Sequence, residues 1–75
     1  MSAFRKGDRV TFTGEVIADL FGVIGVVLKV RRSDGHYVYD IKVSVKIPMV
    51  DVIGVKLIGG SILQGVPSSW IELMR

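Results

Sequence analysis

The chain has no cysteine and only one histidine, His36. A disulfide scaffold and a cysteine-ligated zinc site are therefore excluded. A chain of 75 residues buries only roughly 60% of the surface that its unfolded form exposes. Stability must then come from apolar packing or from association between copies. Charge is also sparse: 23% of residues are charged against 49% hydrophobic, enough apolar material for one modest core. Long apolar runs are missing too. The longest uncharged stretch, residues 57–71, is interrupted by Gly59, Gly60, Gln64, Gly65 and Pro67, and falls short of the ~20 residues of a membrane span. The opening Met1-Ser2-Ala3-Phe4-Arg5-Lys6 lacks the apolar run of a signal peptide. The expectation is one domain over residues 1–75, cytoplasmic and with no membrane partner. A net charge of +3 suits an acidic partner but is mild for a nucleic-acid coat protein.

Valine, isoleucine and punctuating glycines are plentiful, while no segment sustains a 3.6-residue period, so short strands joined by turns are predicted. The first strand is expected over 8–13, with Val10 and Phe12 on one face and Arg9 and Thr11 on the other. Asp8 caps or turns the chain into it, and Gly14 ends it. A loop follows over 14–21, opening with a short extended piece at Val16-Ile17. A second strand, 23–32, carries Ile24, Val26, Leu28 and Val30 on one face. Its other face changes from Val27 to Lys29 and Arg31. Ser33-Asp34-Gly35 tolerates positive φ and predicts a tight hairpin. The third strand, 36–46, alternates Tyr37, Tyr39, Ile41, Val43 and Val45 with Asp40, Lys42, Ser44 and Lys46.

Residues 47–58 are apolar on both faces of any regular strand, with only Asp51 and Lys56 charged. Two readings stand: Gly54 marks a bulge that swaps the buried face, or one face packs inward while the other meets a second subunit. Pro48 suits a strand start or an edge. Gly59-Gly60 makes a turn, 61–64 forms a short strand, and the chain closes through Pro67 and Trp70.

Lys6-Gly7-Asp8-Arg9-Val10, followed by Gly22-Val23-Ile24-Gly25-Val26-Val27-Leu28-Lys29-Val30, resembles the opening of SH3-like barrels, including KOW-type modules of transcription and ribosomal proteins. The ending Gly65-Val66-Pro67-Ser68-Ser69-Trp70-Ile71-Glu72-Leu73 is similar to the close of SH3 domains. The resemblance implies an all-β fold: a small SH3-like barrel of five to six short antiparallel strands, with a 3₁₀ turn before the last. It covers about half the chain and carries little functional specificity. The spacing of Phe21, Gly25, Val30, Gly35, Tyr39 and Val43 also looks like a photosystem I subunit that helps dock ferredoxin, but residues 47–58 have no counterpart there. The Val-Gln-Ile-Tyr run of barrel-type dihydrofolate reductases and the Ala-Leu-Tyr-Asp-Tyr segment of signalling SH3 domains are absent, so no narrower family is assigned.

Catalytic groupings are weak. His36 and Asp40 share a strand face, a conceivable base–orienter pair, but a histidine beside a hairpin turn is ordinarily a solvated surface residue. Ser33 and Ser44 have no evident activating partner. Asp8, Glu15, Asp19, Asp34, Asp40, Asp51 and Glu72 show no spacing of a catalytic pair. Gly59-Gly60-Ser61 lacks the surrounding pattern of a phosphate loop and reads as a plain turn. No catalytic residue, metal or cofactor is expected.

Two binding surfaces are candidates. In peptide-binding SH3 domains, aromatics and the proline near the closing 3₁₀ turn line a groove for extended proline-rich ligands. By that resemblance Pro67, Trp70, Tyr37 and Tyr39 are partner-contact candidates, with Trp70 in place of the usual tyrosine. Only Glu15 and Asp19 represent the expected acidic loop. Tyr37 and Tyr39 alternate with Ile41 and Val43 and are equally core candidates, and Trp70 is a candidate for partial burial. Met49 and Ile53, in the two-faced apolar run, join the protein-contact set. The second surface is basic: Lys29, Arg31 and Arg32 with Lys42 and Lys46, extended by Arg5, Lys6 and Arg9. It can follow a phosphate backbone or simply keep an apolar protein dissolved. A non-catalytic adaptor that binds a protein or its own copies is the leading expectation, with a homo-oligomer as one form of it. A KOW-like nucleic-acid module is the alternative, and a small enzyme with an oligomer-shared site is third.

Overall fold

Asp34 and Gly35 hold φ values of +50° and +82° in a computed structural model that describes residues 3–13 and 20–74. A two-residue type I′ turn requires positive φ at both central positions, and its twist matches that of the strands it joins. Ser33 therefore pairs with His36, and the chain folds back as a hairpin of β2 (Ile24–Ser33) on β3 (His36–Val43). Around this hairpin lie β1 (Arg9–Phe12), β4 (Lys56–Ile58), β5 (Ile62–Pro67) and β6 (Ile71–Leu73), all antiparallel in one sheet of order β4-β5-β3-β2-β1-β6. A 3₁₀ turn at Ser68–Trp70 precedes β6. The fold is all-β with six short strands, as expected, and the described residues contain no α-helix.

The bent sheet wraps a core that includes Val10, Phe12, Val27, Tyr39, Ile41, Leu63 and Val66. In β1, Val10 and Phe12 point inward as expected. Asp8 turns the chain into that strand: its Oδ2 accepts from the Arg5 N–H at 2.9 Å, and its own N–H donates to the Arg5 carbonyl. Leu20 is buried and Phe21 exposed. The expected features at Gly14, Glu15, Val16, Ile17 and Asp19 lie outside the described residues.

The second strand differs from the expectation. Val27 pairs with Ile41 but Lys29 pairs with Asp40, so Leu28 is an extra residue on β2. This bulge shifts the inward face. Val27 is buried before it and Val30 packs on the core after it, whereas Val26 and Leu28 stand exposed on the outer side. Gly25 makes the inversion possible. A Cβ there would lie 2.5 Å from Ile41 Cγ2, so only a bare backbone lets Ile41 sit beneath β2.

β3 ends at Val43, three residues before the expected end, so Lys46 is not on the strand and Val45 is exposed. The next residues run irregularly to a buried Ile47, whose N–H donates to the Gly60 carbonyl at 2.7 Å. Pro48 lies in a bend between β3 and β4 rather than at a strand start or edge, and Gly54 occupies a turn closed by the Val55 N–H on the Val52 carbonyl rather than a bulge. Val50, Val52, Val55 and Leu57 pack against the core, leaving Met49 and Ile53 outside. The bulge in this half of the molecule is instead on β5. Tyr39 pairs with Val66 and Ile41 with Leu63, so Gln64 and Gly65 together face Asp40. Gly65 has φ +88°, and a Cβ would strike the Gly54 carbonyl oxygen. Gly59-Gly60 is the plain turn between β4 and β5, closed by the Ser61 N–H on the Ile58 carbonyl.

Candidate functional site

Beyond the core, the hairpin end projects with Arg32 paired across to Tyr37. The Arg32 guanidinium lies 5.7 Å from the Tyr37 ring centroid, a cation–π distance. β5 runs antiparallel to this part of β3, with Pro67 opposite Val38. Pro67 is an extended residue, φ −73°, and it starts the 3₁₀ turn that carries Trp70. Because Pro67 cannot donate to a ladder, it suits this exit from the sheet.

Pro67 is thus a ridge between two clefts. One, of about 450 Å³, is lined by Arg32, His36, Tyr37, Tyr39, Pro67 and Ser68 among others. The other, of about 250 Å³, includes Val38, Ile53, Val55, Gly65, Pro67 and Trp70. Five of the six residues expected to contact a protein partner line one or other of these clefts. Tyr37 and Pro67 are half-buried, Ile53 is 103% exposed, and Trp70 is a largely buried wall. Tyr39 is a core residue, packed edge-on against Phe4 at 5.3 Å, and contributes only to the floor of the first cleft. Met49 is 66% exposed but lines neither cleft.

The expected basic surface is divided. Arg31 donates to Asp40 Oδ1 at 2.7 Å, so its charge is compensated. Asp40 is a buried carboxylate between two bulged neighbours, and the Gly65 N–H approaches the same oxygen at 3.4 Å. Arg32 lies over Tyr37, one residue out of phase with Lys29 and Arg31. Lys46 stands off the strand beside the Gly60 turn. What remains on the outer face is Lys29, Lys42 and Arg9, the last two paired on either side of Val26. Sequence reasoning missed Asp40 as the partner of Arg31, because the pair depends on cross-strand register.

His36 and Asp40 do not form a pair. Four residues along a strand separate them by roughly 13 Å, His36 Nδ1 lies 3.3 Å from the Asp34 carbonyl, and Asp40 is engaged by Arg31. Among the described residues, no three histidine or carboxylate side chains gather as metal ligands. No helix among them is long and apolar enough to cross a membrane. In comparisons with family models, curated proteins and solved structures, the chain matches none.

Proposed function

We propose that this chain is a non-catalytic binding module that receives a segment of a protein partner along the Pro67 ridge. The observation that carries the reading is the convergence of Tyr37, Pro67, Trp70 and a fully exposed Ile53 around two adjoining clefts. An exposed aliphatic side chain beside a rigid proline and aromatic walls is the composition of a small interface core. The ridge rests on two paired strands, which hold it in shape before a ligand arrives. The division of the basic residues weakens the nucleic-acid alternative, since Arg31 is compensated and Arg32 and Lys46 point to other parts of the surface.

Selection of peptide ligands from a displayed random library tests this reading. Selected peptides are expected to lose about tenfold or more in affinity for Ile53→Asp and for Tyr37→Ala, as hot-spot truncations do. Peptides that bind both variants as well as the original chain would reject the ridge as the binding site.

A further inference from the structure

The outer face of the sheet carries a third cleft, of about 470 Å³, which shares no lining residue with those at Pro67. Its floor is formed by Ile24, Val26 and Leu28 of β2, with Arg9 on the β1 side and Lys42 and Ser44 on the β3 side. The Leu28 bulge and the bare Gly25 create it, because together they turn β2's aliphatic row outward.

Register places Arg9, Val26 and Lys42 in one row across three strands. Two strand spacings put the outer backbones ~10 Å apart, close to the ~10–12 Å width of an α-helix with its side chains. Along β2, Ile24 to Leu28 spans ~13 Å, or about nine residues of helix. No carboxylate lines the cleft, and among the described residues neither Arg9 nor Lys42 is in an ion pair. A second copy of the chain would bring the same two cations against themselves. A nucleic acid would find an aliphatic floor with no ring on which to stack a base.

We propose that this face docks an acidic amphipathic helix of a protein partner. Apolar residues at i, i+3 or i+4, and i+7 rest on Ile24, Val26 and Leu28, while flanking carboxylates meet Arg9 and Lys42. This docking does not rest on the Pro67 ridge, and the two sites are separable by which residues respond.

The test is a titration of the ¹⁵N-labelled chain with a synthetic helical peptide of about four turns, bearing a leucine stripe flanked by glutamates. A second peptide has lysine at every glutamate position. The amides of residues 9, 24–28 and 42–44 are expected to shift with the glutamate peptide, and the lysine peptide is expected to bind at least ~tenfold more weakly. Val26→Ser and Leu28→Ser should each weaken binding by about tenfold, the effect of losing one aliphatic contact. Both side chains are exposed, and unchanged amide signals elsewhere verify the fold of each variant. Four results would overturn the proposal: no shift at millimolar glutamate peptide, equal binding of both peptides, shifts confined to the Pro67 ridge, or the same amides responding more strongly to single-stranded DNA or to the chain's own concentration.

Discussion

The β2–β3 hairpin and the stretch from Ser44 to Ile58 are both rich in valine and isoleucine, yet they are held in different ways. The hairpin is a long ladder whose register is set locally by Asp34-Gly35. The stretch has a ladder only in its last three residues, Lys56–Ile58, and is otherwise fixed by buried side chains and isolated backbone bonds at Ser44, Ile47 and Val55. The first region is a scaffold. The second carries a fully exposed Ile53 to the rim of a cleft that Val38 of that scaffold also lines. Apolar composition alone does not separate the two; turn chemistry and register do.

The contrast can be broken most severely from the hairpin side. Ile41→Ala, at a fully buried position, is expected to cost about 2–5 kcal/mol. For a domain whose whole stability is about 5–15 kcal/mol, urea denaturation should show a large loss or an unfolded chain. Gly65→Ala comes next, since it combines positive φ with a collision at the Gly54 carbonyl. A loss of about 2–3 kcal/mol is expected in the same assay. It should also disturb the Ile53–Gly54 turn, and with it the second cleft.

Asp40→Ala is a smaller perturbation. It removes the partner of an Arg31 side chain that is 41% exposed, so solvent screens much of the pair and about 1 kcal/mol is expected. Part of that difference should disappear in high salt. Ile53→Asp is the smallest for stability, within about 0.5 kcal/mol, because the side chain buries nothing in the free chain. Its effect on partner affinity should nonetheless be the largest of the series. A fold-neutral, binding-deficient Ile53 variant beside a fold-deficient Ile41 variant sharpens the division between scaffold and site.

What was legible in the sequence follows the same division. The hairpin turn, the inward Val10 and Phe12 and the all-β class each depend on neighbours in the chain, and each is found, as is the 3₁₀ turn that the resemblance of the ending implied. The bulges at Leu28 and Gly65 depend on how strands slide against one another. The outward turn of Val26 and Leu28 was therefore hidden behind a regular alternation. The same limit applied to the sites. Tyr37, Pro67, Trp70 and Ile53, singled out for separate reasons, line adjoining clefts, while the basic set separates because Arg31 meets Asp40 across the hairpin and β3 stops before Lys46. Met49 is exposed but lines neither cleft at Pro67.

Trp70 is the only tryptophan in the chain and forms a wall of the cleft that also holds Ile53. Its emission, followed while a selected peptide is added, reports on the proposed site without any label. The account expects a blue shift that saturates with ligand in the original chain and is lost in Ile53→Asp at the same concentrations. A peptide that binds by calorimetry yet leaves Trp70 emission unchanged in the original chain would contradict it.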